Sequence, residues 1–134
     1  MPRLPVLLAV ALGGVLGALA RYGLTSAFPV RSGGFDWVVL GVNVSGCFAI
    51  GVVMLLSESR RAKPLLRPFL TTGVLGGFTT FSSYVVGMQR DMVGGAARTA
   101  LLYGAVSLVA GLAAAAAGLA VARALLRPGR EGAA

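Results

Sequence analysis

The sequence predicts an all-α membrane protein with four transmembrane helices and a break in the third. Composition, the spacing of apolar runs and one anomalous segment carry the four-helix prediction. Of 134 residues, 57% are apolar and 12% charged, and the mean hydropathy is +0.86. The apolar residues gather into four runs, 4–22, 37–56, 65–88 and 99–122, each near the ~20 residues a helix needs to cross a bilayer. Inside the third run, Gly76-Gly77-Phe78-Thr79-Thr80-Phe81-Ser82-Ser83-Tyr84 has the composition of a break. Backbone N–H and C=O groups find no partner in lipid, so a break survives only where protein covers it or where it lines a wet path. The four runs nearly exhaust the chain, and residues 1–134 read as a single membrane domain.

The first run begins after Arg3 and contains Ala18-Leu19-Ala20, which imitates a secretory signal with its cleavage site. It is expected to be retained, because Gly13, Gly14 and Gly17 stand at the small-residue spacing that lets helices approach closely in lipid. The second run holds one strongly polar side chain, Asn43, among Gly41, Ser45, Gly46 and Gly51. Two roles are open to it: bonding across helices as an amide, or presenting its two N–H donors to an anion.

The third run places Thr71, Thr72, Thr79, Thr80, Ser82 and Ser83 among Gly73, Gly76 and Gly77. That hydroxyl density exceeds what packing requires. If the helix opens near Gly76 and Gly77, freed carbonyls can bind a small hard cation, while freed N–H groups and the hydroxyls of residues such as Thr80 and Ser83 can face an anion. Phe81 and Tyr84, three apart, share a face of the resumed helix. Their electropositive ring edges can line an anion's path without a fixed charge that would trap it, or the two rings simply pack. In the fourth run Tyr103, Ser107 and Gly111 fall at i, i+4 and i+8, a stripe with a phenol, a hydroxyl and a gap.

Catalysis is hard to build here. The chain has no histidine and one cysteine, Cys47, and its acidic residues Asp36, Glu58, Asp91 and Glu131 all fall outside the apolar runs. A triad, a zinc site or a carboxylate pair therefore lacks its residue types, and no enzyme is expected. The net charge of +8 does not point to nucleic acid, since no stacking aromatics interleave the basic residues. Topology accounts for it better. Arg3, Arg60, Arg61, Lys63, Arg67, Arg123, Arg127 and Arg130 fall on one side, and Arg21, Arg31, Arg90 and Arg98 on the other, which favours both termini in the cytoplasm.

Gly13-Gly14-x-x-Gly17-Ala18-x-x-Arg21-Tyr22, Asn43-x-x-Gly46-x-Phe48-x-x-Gly51 and Gly73-x-x-Gly76-Gly77-Phe78-Thr79-Thr80-Phe81-Ser82-Ser83 together resemble the fluoride channel family, called Fluc or CrcB. The resemblance covers nearly the whole chain, and its last motif is highly specific. It implies a four-helix subunit of the bacterial inner membrane that pairs head-to-tail with an inverted partner. Narrow pores would then let cytoplasmic fluoride escape passively. It also implies a structural sodium ion on the dimer axis, held by backbone carbonyls that by motif match are those of Gly76 and Thr79. By the same match Asn43 would donate to the anion, and Phe81 with Tyr84 would supply ring edges. Ser107 with Tyr103 would extend the polar track, and Arg21 would gather anions or anchor the end of the first helix.

The chain departs from the family pattern at Tyr84, where phenylalanine is usual, at Gly87, where an acidic residue is common, and at Gly111, where a hydroxyl often occurs. The uneven basic residues also suit a fixed orientation, hence pairing with an oppositely oriented paralogue as an alternative to pairing with itself. A non-conducting or half-conducting subunit of a heterodimeric channel is the alternative function. A small multidrug exporter is disfavoured, since it needs a carboxylate within the membrane.

Overall fold

A computed structural model describes residues 4–30, 34–57 and 64–126. The described residues are all helical or connecting, and four stretches are long and apolar enough to cross a membrane: Leu4–Ala27, Trp37–Leu56, Leu66–Val93 and Ala97–Leu126. The first, second and fourth are single helices, here α1, α2 and α6. The third is composite. It opens as α3 (Leu66–Pro68), widens into a π-helical stretch (Phe69–Leu75), tightens into α4 (Gly76–Phe78), and resumes as α5 (Ser82–Val93) after an interruption. Pro68, which has no N–H to give, sits at the change from α to π.

Three spans run past the expected ends. α1 continues beyond residue 22 to Ala27 because Arg21, which counts against an apolar run, finds a carbonyl inside the protein. α5 continues beyond residue 88 to Val93, and α6 covers Ala97–Leu126 where 99–122 was expected. Of the basic residues behind the expected orientation, Arg3, Arg31, Arg60, Arg61, Lys63, Arg127 and Arg130 lie outside the described residues.

The ends are closed by local bonds. Asp36 caps α2, its Oδ1 accepting from Val39 N–H at 2.9 Å. α5 stops in a left-handed turn at Gly95, φ +78°. There Gly95 N–H donates to Met92 O and Ala96 N–H to Asp91 O, the pair of bonds that satisfies the last carbonyls of a helix.

α1 lies along the π-helical stretch and α4, while α2 lies along α6. Both seams depend on missing side chains. A Cβ on Gly17 would overlap the Val74 carbonyl, and one on Gly118 would overlap the Phe48 carbonyl. Buried apolar side chains are few, Val39, Val42, Ala100, Tyr103 and Ala122, while many leucines and valines face outward. That distribution suits a chain whose outer surface meets lipid or another membrane protein, because hydrocarbon solvates leucine as well as a core does.

Candidate functional site

The backbone leaves the helix at Thr79, whose φ of −73° and ψ of 152° are extended. The interruption lies two residues beyond Gly77; Gly76 and Gly77 themselves stay helical. The last ladder bond on the near side runs from Thr79 N–H to Leu75 O. The next donor, Thr80 N–H, turns instead to Asn43 Oδ1 at 2.8 Å, and Asn43 Nδ2 donates back to Thr80 O at 2.9 Å. The Asn43 amide thus pairs with Thr80 as a peptide unit would, from the neighbouring helix. On the far side Ser83 N–H donates to Thr80 Oγ1 at 3.1 Å.

These substitutions release carbonyls. Gly76 O would have accepted from Thr80 N–H, and Thr79 O from Ser83 N–H, had the helix continued. Among the described residues no backbone donor replaces either. Gly77 O is released too, and Arg21 Nε takes it at 3.2 Å.

Asn43, Cys47, Thr80, Phe81, Tyr84 and Ser107 line one open groove of about 360 Å³ that runs from the interruption along α2 and α6. Leu108, Leu112 and Ala115 make most of its wall apolar, and a few polar groups are set into it. Asn43 keeps one amide hydrogen free of Thr80. Ser107 Oγ and Tyr103 OH are buried without a hydrogen-bond partner. Thr80 Oγ1 lies 3.2 Å from Ser82 Oγ and donates to Ser83 Oγ at 3.1 Å, joining three hydroxyls at the head of α5. By contrast Thr71 and Thr79 give their hydroxyls to helical carbonyls, Arg67 O and Leu75 O, so part of the hydroxyl density serves only the backbone.

Phe81 and Tyr84 lie 5.5 Å apart, centroid to centroid, tilted by 46°. Phe81 is 77% exposed. Tyr84 sits 5.6 Å from Tyr103, Tyr103 meets Phe35 edge-on at 5.0 Å, and Phe35 lies 4.3 Å from Trp37. The rings form a ladder from the interruption toward the turn between α5 and α6. The Tyr84 hydroxyl donates to Gly104 O at 3.2 Å, which holds it against α6.

Of the expected site residues, Asn43, Thr79, Thr80, Phe81, Tyr84 and Ser107 share the groove, Tyr103 stands behind it on the ladder, and Ser83 joins through Thr80. Arg21 bonds the carbonyl next to Gly76 from α1. Phe35, Trp37 and Cys47 were not expected to belong. Phe35 and Trp37 gave no signal, lying at the edge of a run; Cys47 follows Asn43 by one helical turn, a spacing that could have marked it.

One expectation is corrected. Asp91 was placed outside the apolar runs, but it occupies the last turn of α5 and is 1% exposed. Gln89, Arg90 and Asp91 end the apolar run without ending the helix, and Asp91 falls on the face that packs inward. Arg90 Nε stands 3.6 Å from its Oδ1.

Residues 8–119 match the family model described as CrcB-like protein, Camphor Resistance (CrcB). The chain is 50% identical over 105 residues to the fluoride-specific ion channel FluC 2 of Streptomyces avermitilis, covering 78% of this chain and 66% of that one. It is 46% identical over 124 residues to the fluoride-specific ion channel FluC 1 of Streptomyces coelicolor, covering 92% and 80%. With the fluoride-specific ion channel FluC of Thermus thermophilus it shares 47% over 106 residues, covering 78% and 85%.

Proposed function

This chain belongs to the CrcB-like protein family, and from that premise we propose that it is a fluoride-specific ion channel through which cytoplasmic fluoride leaves the cell passively. The observation that carries the reading is the Asn43–Thr80 pairing, which holds the third span open at a mainly apolar groove into which Asn43 and Ser107 are set. Fluoride is small, strongly hydrated and a strong acceptor, so a constriction replaces its water only by offering many donors close together. The free Asn43 amide hydrogen and the Ser107 and Tyr103 hydroxyls are such donors, with Thr80 and Ser83 beside them and the edges of Phe81 and Tyr84 between. Arg21 acts through Gly77, anchoring α1 to the opened span.

A structural sodium ion belongs to the same proposal. Gly76 O and Thr79 O have lost their helical donors, and neutral carbonyl oxygens suit a hard cation. Two are too few for a full coordination shell, and an inverted second subunit would supply two more. The ion would fix the two interruptions against each other. The exposure of Phe81 and the open side of the groove support such pairing, with an identical subunit or an oppositely oriented paralogue. Tyr84 gives no ground for a non-conducting subunit, since its hydroxyl is bound to Gly104 O and its ring stands beside Phe81.

The test is fluoride efflux from liposomes carrying this chain alone, with chloride as the comparison ion. Fluoride-selective flux that Asn43→Ala abolishes supports the reading. Equal passage of both halides, or flux indifferent to Asn43→Ala, overturns it.

A further inference from the structure

The groove extends one helical turn past its hydroxyls. α2 and α6 lie side by side and run the same way, Cys47 facing Gly111 and Gly51 facing Ala115 a turn later. On α2 the turn after Asn43 brings Cys47, on α6 the turn after Ser107 brings Gly111, and all four residues line the groove. Asn43 offers it an amide hydrogen, and Ser107 offers a hydroxyl that is buried without a partner. One turn on, the α6 stripe has no side chain to offer, and Leu112 and Ala115 make the wall apolar. An anion moving there would trade donors for hydrocarbon, which is costly unless a donor meets it. Cys47 is the side chain on that turn with a hydrogen to give. Its thiol is free. A Cβ on Gly111 would stand 3.6 Å from Cys47 Sγ and within 4 Å of nothing else, so the space between thiol and glycine is open.

We propose that Cys47 is a further residue of the anion path, its S–H standing in from α2 for the side chain that Gly111 lacks on α6, so that donors continue one turn beyond Asn43 and Ser107. A thiol is a weak donor, but in an apolar wall of low dielectric a weak donor counts for more than it does in water. This role rests on the channel reading. A cysteine that merely packed as a small apolar residue would be replaced by alanine at no loss of flux, and the two roles therefore part experimentally.

The experiment measures fluoride and chloride efflux from liposomes carrying the unaltered chain, Cys47→Ala, Cys47→Ser, and the double variants Cys47→Ala/Gly111→Ser and Cys47→Ala/Gly111→Ala, with size exclusion and a thermal melt on each. Cys47→Ala should slow fluoride about fivefold, the worth of one modest hydrogen bond, and lower the ratio of fluoride to chloride flux. Cys47→Ser, which keeps a donor, should be at least as fast as the unaltered chain. Placing a hydroxyl on the opposite wall, in Cys47→Ala/Gly111→Ser, should restore fluoride flux to within about twofold. Refilling the volume without a donor, in Cys47→Ala/Gly111→Ala, should not. The two double variants share one alanine and differ by one hydroxyl, so they decide the matter even if Cys47→Ala alone folds poorly. Equal flux through both, or a Cys47→Ser variant as slow as Cys47→Ala, overturns the proposal and leaves the channel reading standing. An unaltered chain that passes no fluoride removes the channel reading and this role together.

Discussion

Asn43 and Thr80, 37 residues apart, exchange two hydrogen bonds of 2.9 and 2.8 Å, side-chain amide to backbone peptide. One residue therefore both holds the third span open and contributes a donor to the groove, so the two roles the sequence leaves open for Asn43 are compatible. Replacing it separates them. Asn43→Asp keeps an acceptor for Thr80 N–H but sets a carboxylate against Thr80 O and into an anion's path. Stability should fall by about 1–3 kcal/mol, from the lost bond and the unpaired carbonyl, and fluoride efflux should drop below detection. A thermal melt and a liposome assay on the same preparation check both.

Arg21→Gln tests the anchor between α1 and the opened span. The variant loses a charged donor to Gly77 O in a part-buried bond, so the cost is about 1 kcal/mol. The expected outcome is a melting temperature lower by a few degrees with fluoride selectivity retained. Loss of selectivity at unchanged stability would instead assign Arg21 to the anion path.

Tyr84 separates ring from hydroxyl. Tyr84→Phe removes only the bond to Gly104 O, costing about 1 kcal/mol, and efflux should stay within about threefold of the unaltered rate. Tyr84→Ala removes the contacts with Phe81 and Tyr103, each such ring pair contributing about 0.5–1.5 kcal/mol beyond its area, and efflux should collapse. Flux traces of the two variants side by side decide.

Gly111→Ser should be tolerated and should raise flux. A Cβ there would sit 3.6 Å from Cys47 Sγ, an ordinary contact, and the new hydroxyl would follow Ser107 one turn along α6 into the groove. A rate increase of about twofold or more over the unaltered chain is expected from one further donor. An unchanged melt confirms that the site had room.

The four spans were legible because hydropathy over ~20 residues is a strong signal, and the third span announced itself by composition. The position of its interruption was displaced toward the glycines, since glycine density says where a helix is weak but not where a side chain takes over its bonds. That choice is made by Asn43, on another helix. Arg21 bonding Gly77 across 56 residues is likewise invisible to any local pattern. Asp91 was misplaced for the opposite reason: a charged residue ends an apolar run in sequence, while in space the helix continues and turns that residue inward. The π-helical stretch had no sequence signal of its own, because Phe69 to Leu75, with two threonines and a glycine among apolar residues, is a composition an ordinary spanning helix also accepts.

That wide stretch sets the azimuth of everything after it. A π turn carries one residue more than an α turn, and each α-helical residue advances the chain by about 100°. Deleting a single residue between 69 and 75 would restore a plain helix and rotate Thr80 about a quarter turn away from the amide that meets it. Segment length upstream thus governs alignment as strictly as the chemistry of Asn43 does, and a one-residue indel there would act as a loss-of-function lesion without altering any group in the groove.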